Sequence, residues 1–238
     1  MNRQLRLQLG SRSGHRRETF IVSPSNVEAV RALDARPTWH SGVLALVGPE
    51  GSGKTHLAQA WREEAGAVEI EAGSPPSDLR ELAGRPVLME QADRSDPETL
   101  FHLINMAAQP GAGLLLTARA MPATWPTSLP DLRSRLNALH VAELGPPDDE
   151  LLEGVLQKFF RERLIRPSDD IFPYLIRRME RSVPVALALV EKLDEASDAE
   201  QRSVSRALAR QILEEDNETP DLFAARLAEP DGSGENDG

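Results

Sequence analysis

Residues Gly48-Pro49-Glu50-Gly51-Ser52-Gly53-Lys54-Thr55 form a complete G-x-x-x-x-G-K-[ST] phosphate-binding loop. The apolar run Val43-Leu44-Ala45-Leu46-Val47 precedes it and reads as a buried parallel strand, while His56-Leu57-Ala58-Gln59-Ala60-Trp61 continues as a helix. A strand, a glycine turn and a helix N-terminus in that order turn backbone N–H groups toward one point and add the positive end of the helix dipole. A phosphate group is held by amides in such a place. Lys54 is expected to reach the β- and γ-phosphates, the Thr55 hydroxyl to ligate magnesium, and His56 to close the nucleotide-contacting stretch. The ligand expected is therefore a nucleoside di- or triphosphate with Mg.

Downstream, short apolar runs alternate with helical patterns. Strands are expected at Ala67–Glu71, Pro86–Glu90, Gly113–Thr117 and His140–Leu144, and helices at Asp78–Ala83, Pro97–Gln109 and Asp131–Leu139. A proline-rich loop with Trp125 covers Met121–Pro130. Upstream, Thr19–Val22 reads as a short strand and Val27–Leu33 as a helix after the turn residues Ser23-Pro24-Ser25-Asn26. This alternation predicts an α/β three-layer sandwich around a parallel sheet. After Gly145-Pro146-Pro147 the period is helical throughout, at about Asp149–Glu162, Ser168–Met179, Val183–Asp194 and Ser203–Glu214. The expected domains are an arm over 1–17, an α/β domain over 18–145, a small all-α lid over 146–215 and an acidic tail over 216–238.

Charge and composition narrow the function classes. The formal charge is −11, yet nine acids against Arg226 fall in residues 214–238, while the first 17 residues hold five arginines and no acid. No broad basic face for duplex DNA is expected, so sequence-specific DNA binding is not. The absence of cysteine excludes disulfides and thiolate metal sites, and suits a cytoplasmic location. No apolar run is long enough for a membrane span. The five histidines show no metal-ligand spacing, and Asp148-Asp149-Glu150 suits the positive end of a helix better than catalysis.

A phosphate-loop α/β domain followed by a helical lid resembles the AAA+ superfamily. Gly53-Lys54-Thr55-His56-Leu57, the Phe20…Ser25-Asn26 entry and Leu132-Arg133-Ser134-Arg135-Leu136 before the last strand resemble more narrowly the bacterial replication initiator DnaA, over about residues 19–214. No counterpart of that initiator's DNA-binding helices is expected. A DnaA-like ATPase module without its DNA reader resembles the Hda-type regulatory inactivators of DnaA. The segment Gln4-Leu5-Arg6-Leu7-Gln8-Leu9 is similar to their motif for the DNA polymerase III sliding clamp. In physical terms an extended hexapeptide with apolar side chains on one face enters a groove while its backbone pairs with a strand. Gln4 would be the polar anchor and Leu5, Leu7 and Leu9 the apolar contacts; the plain alternative is an edge strand or an untethered arm.

The resemblance also implies roles within the core. Arg135 would be an arginine finger aimed at a neighbouring subunit's γ-phosphate, and the alternative is a helix-end arginine in a local ion pair. Arg133 competes for the role. Glu90 would reach magnesium through water. The second acid of the family's pair is replaced by Gln91, a poor activator of water, so weak or absent self-hydrolysis is expected. Asp93 is a candidate to compensate. Thr117 would be the strand-end polar residue that senses the γ-phosphate, unless it only bonds local backbone. The family's nucleotide-contacting lid arginine falls on Pro184, leaving Arg181 as the substitute, or as an ordinary exposed arginine. The function implied by the resemblance is a clamp-recruited regulator that binds ADP or ATP with Mg and stimulates ATP hydrolysis by DnaA in trans, preventing re-initiation, with self-association through the AAA+ face as a further partner. A helicase-loader-like ATPase and a nucleotide-binding scaffold are the alternatives.

Overall fold

In this computed structural model the described residues are Arg17, 20–35, 39–74 and 78–218. The clamp-motif residues Gln4, Leu5, Leu7 and Leu9, the arm around them and the tail after 218 lie outside them. The chain divides into two compact units, one reaching Leu152 and including Arg181–Val183, the other containing Glu153–Glu180 and the residues from Pro184 on. The change of unit falls inside a helix, past the Gly145-Pro146-Pro147 break.

The first unit is built on β1 (Val43–Val47), β2 (Val68–Glu71), β3 (Pro86–Glu90), β4 (Gly113–Ala118) and β5 (His140–Glu143). They form one five-stranded sheet in the order β2-β3-β4-β1-β5, every pairing parallel. The central strands β1 and β4 are buried along their whole length, which is why they read as continuous apolar runs rather than alternating ones. Alternate side chains serve opposite faces. Val43, Ala45 and Val47 join Leu114, Leu116 and Met89 against α3 (Pro97–Ala107) and α4 (Pro130–Ala138), through Leu100, Leu103, Ile104, Leu132 and Leu136. Leu44, Leu46, Leu88 and Leu115 meet α1 (Val27–Asp34) and α2 (Lys54–Ala65) on the other side, through Val30, Leu33, Leu57 and Trp61. Two apolar faces on one sheet give three layers, as the alternation predicts.

Several elements depart from expectation. Residues 20–22 are not a strand: the Ile21 carbonyl accepts from the Asn26 side chain at 3.0 Å instead of a ladder partner. The 78–83 helix is a single 3-10 turn at Leu79–Leu82, closed by Asp78, whose carboxylate accepts the Arg80 N–H at 2.9 Å. The loop after β4 is tightened by a 3-10 turn at Pro122–Thr124, and the buried Trp125 donates its indole N–H to the Ala120 carbonyl at 2.8 Å.

The second unit takes in most of α5 (Asp149–Glu162), then α6 (Ile171–Ile176), α7 (Val183–Glu200) from Pro184 on and α8 (Arg206–Glu218). Phe160 and Phe172 meet edge to face at 6.0 Å, and Leu156, Leu175, Val190, Leu193 and Leu208 are buried. The helix expected over 168–179 is cut to α6, where Pro173 lacks an N–H and so must stand in the first turn. Pro184 likewise occupies the first turn of α7. Among the described residues no helix is long and apolar enough to cross a membrane.

Candidate nucleotide-binding site

The loop joins the C-terminal end of β1 to α2, and its glycines are required by space as well as by backbone angle. Gly51 has φ +73° and Gly53 φ +93°, both in the region that side chains rarely adopt. A Cβ on Gly48 would lie 2.4 Å from the Leu144 carbonyl oxygen. A Cβ on Gly51 would lie 2.4 Å from Ser182 Oγ. The Gly48 N–H donates to the Ala118 carbonyl at 3.3 Å, fastening the loop's start to the end of β4. Ser52 is buried, while Pro49 and Glu50 are exposed at the tip.

Lys54 opens α2 and folds back over the loop, donating from Nζ to the Gly48 carbonyl at 2.9 Å and the Pro49 carbonyl at 2.7 Å. Its pKa is held below the ordinary lysine value, first by burial and then by the Arg119 guanidinium, with Glu50, Glu90 and Asp93 pulling the other way. The Thr55 hydroxyl donates to Glu90 Oε2 at 2.6 Å. Glu90 closes β3, and its other oxygen accepts from Gln59 Nε2 at 2.8 Å, so a helical amide fixes the carboxylate. Gln59 also reaches Glu69 Oε1 at 2.8 Å, tying α2 to β2 and β3 together. No motif in the sequence marks Gln59; its place one turn after Thr55 on the same face of α2 is the signal that singles it out.

Gln91 stands in the left-handed region with φ 53°, and its N–H donates to Thr117 Oγ1 at 3.2 Å. Thr117 is 2% exposed and registers opposite Leu46 of β1. Glu90, Gln91 and Thr117 thus gather at one end of the sheet beside Thr55. His56 lies edge-on to the Phe20 ring, centroids 5.5 Å apart, and Phe20 is also the nearest side chain to Gly53.

Arg181 forms an ion pair with Asp149 and donates to the Pro147 carbonyl at 3.1 Å. Its neighbour Ser182, buried, is the residue against the loop, and the Val183 N–H donates to the Gly51 carbonyl at 3.3 Å. Nothing local in the sequence marks Ser182. Asp148 receives the Leu151 N–H at 2.8 Å and the Ser25 N–H at 2.9 Å, binding the start of α5 to the turn before α1. Burial raises the Asp148 pKa, but those amides and the Ser23 and Ser25 hydroxyls outweigh it, leaving the value below the usual one.

Arg133 and Arg135 share α4 and divide their work. Arg133 donates to the Ala123 and Trp125 carbonyls, both at 2.7 Å, which buttresses the loop before α4. Arg135, two residues on and so on the other side of the helix, is exposed with its guanidinium 5.4 Å from the Phe101 ring centroid.

The donor set suits a magnesium-bound polyphosphate: a glycine loop running into a helix start, an ammonium folded over it, and a hydroxyl paired with a carboxylate. No protein family's sequence profile matches the chain. Solved structures do match. Domain III of the replication initiation protein DnaA from Thermotoga maritima superposes with a TM-score of 0.70 at 17% identity, covering 84% of this chain and 96% of that one. AMPPCP-bound DnaA from Aquifex aeolicus gives 0.65 at 15%, covering 92% and 78%. The RuvB Holliday junction branch migration motor of Thermotoga maritima gives 0.62 at 19%, covering 84% and 70%. The chain has the AAA+ P-loop NTPase fold, in the form it takes in DnaA and RuvB.

Proposed function

We propose that this chain binds adenine nucleotide with magnesium and regulates replication initiation in the manner of Hda-type proteins, stimulating ATP hydrolysis by DnaA in trans. Residues 48–55, with Lys54 and Thr55, would hold the phosphates, and Glu90 would act on magnesium through water. Bound magnesium would offset charge on the phosphates. The chain's own residues bind and orient: glycine amides cradle, Lys54 neutralises, and Gln59 keeps Glu90 facing Thr55. Thr117 stands beside Gln91, which carries no ionisable group to accept a proton from water, and that supports low self-hydrolysis.

The observation that carries the reading is the division between Arg133 and Arg135. Arg133 is committed to two backbone carbonyls, whereas Arg135 is exposed and, among the described residues, rests against the Phe101 ring. An exposed cation–π contact is worth about 0.5–1 kcal/mol, far less than a guanidinium gains on a phosphoryl group in a water-poor interface. Arg135 can therefore leave Phe101 for a partner's γ-phosphate at little cost. Recruitment by the sliding clamp through Gln4, Leu5, Leu7 and Leu9, and self-association through the same face, belong to this proposal. Likeness to the RuvB motor and the Thr55–Glu90 pair favour a second reading, a self-hydrolysing loader or motor, and Gln91 weighs against it.

The test is phosphate release from ATP-loaded DnaA, with and without this chain and with and without DNA-loaded clamp. The proposal expects acceleration that needs the clamp. Release by this chain alone, with no effect on DnaA, would favour the motor reading instead.

A further inference from the structure

We propose that Arg119 is a second cation for the outermost phosphate of a bound nucleoside triphosphate, held on Glu50 and exchanging that carboxylate for the phosphate. The inference rests on the reading of residues 48–55 as a nucleotide site. Arg119 directly follows β4, whose last residue, Ala118, accepts the Gly48 N–H at 3.3 Å. The root of Arg119 is thereby fixed to the root of the loop. Its guanidinium reaches across to Glu50 Oε2 at 2.8 Å, at the loop's exposed tip. Glu50 in turn is followed by Gly51, pinned by its backbone angle, its contact with Ser182 and the hydrogen bond from Val183. Neither backbone need move for the guanidinium to swing.

Charge supports the assignment. Lys54 Nζ donates to the Pro49 carbonyl at 2.7 Å while Arg119 pairs with the next residue, Glu50, at 2.8 Å, so both cations stand over the same tip of the loop. Two cations converging on one loop mouth repel each other, and an anion with more than one negative charge between them removes the repulsion. The inner phosphates lie among the amides, so the group that meets a side chain at the tip is the outer one. The existing pair is easily given up: the two side chains are 60% and 66% exposed, and exposed pairs contribute about 0–1 kcal/mol. A phosphate offers the guanidinium fork two oxygens and higher charge.

Calorimetric titration of the full chain with magnesium and either ADP or a non-hydrolysable triphosphate tests this. Arg119→Ala should weaken the triphosphate about tenfold or more while changing ADP by less than about twofold, as expected for losing a charge-assisted hydrogen bond. Arg119→Lys, which keeps charge without the fork, should fall between. Equal losses for both nucleotides, or none for either, would overturn the role with the nucleotide site intact. If wild-type protein bound neither nucleotide, the nucleotide-site reading would fail first and this inference with it. Arg119 is exposed, so its truncation should leave the fold intact, and an unchanged melting curve of Arg119→Ala without nucleotide checks this.

Discussion

The Gln91 amide donates to Thr117 Oγ1 at 3.2 Å, so the residue after the β3 carboxylate is tied by its backbone to the end of β4. That bond spares the Gln91 side chain, which is exposed at the same end of the sheet as Thr55 and Glu90.

A carboxylate at position 91 therefore supplies a base without disturbing the backbone. Gln91→Glu should raise intrinsic ATP turnover at least about tenfold, since a positioned general base is worth roughly 10²–10⁴. Phosphate release at saturating ATP measures it. Unchanged turnover would mean that the left-handed backbone at 91 aims the side chain away from water.

Lys54 gives a pH dependence with a definite sign. Its folded pKa is lowered by burial and by Arg119, so it loses its proton at a lower pH than a free lysine at 10.5. The protonated lysine costs the folded protein stability, a cost relieved as pH rises through the folded value toward 10.5. A bound phosphate reverses the preference and favours the ammonium. Nucleotide affinity should then fall on the alkaline side, beginning below 10.5. Titrations at rising pH measure it, with Lys54→Ala weak throughout. A flat alkaline profile for wild type would contradict the role of Lys54.

Asp148 holds two distant segments with one carboxylate. Asp148→Ala should cost about 1 kcal/mol, the usual worth of a helix-start acceptor, and lower the melting temperature by a few degrees. The folded pKa lies below 3.8, so the carboxylate's contribution is present above that value and lost as pH falls through the folded one. Melting curves should show wild type and variant converging in strong acid. A gap that persists there would assign the loss to packing instead.

The sheet was largely legible in the residues because buried parallel strands leave nothing polar in their runs. Val43–Val47 and Pro86–Glu90 occupy the strands expected, and the loop's glycines announce their own geometry. Among the described residues of the expected strand, 20–22 form none although β-branched and aromatic residues suggest one, and the Phe20 ring packs on His56 instead. The contacts that finish the site were not legible. Glu50 with Arg119, Gly51 with Ser182, and Asp148 with Ser25 join residues far apart in sequence, and no periodicity or local motif reports such pairs. Arg133 and Arg135 were distinguishable only by helix geometry; which of them is tied down required the carbonyls of Ala123 and Trp125.

The most direct measurement compares Arg133→Ala and Arg135→Ala in clamp-dependent phosphate release from ATP-loaded DnaA, alongside their melting temperatures. Arg133→Ala should lower stability by about 1–3 kcal/mol, because it strips two carbonyls of a charged donor. Arg135→Ala should leave stability within about 1 kcal/mol of wild type and abolish stimulation. Stimulation by Arg135→Ala equal to that of wild type would contradict the trans-acting role proposed for this chain.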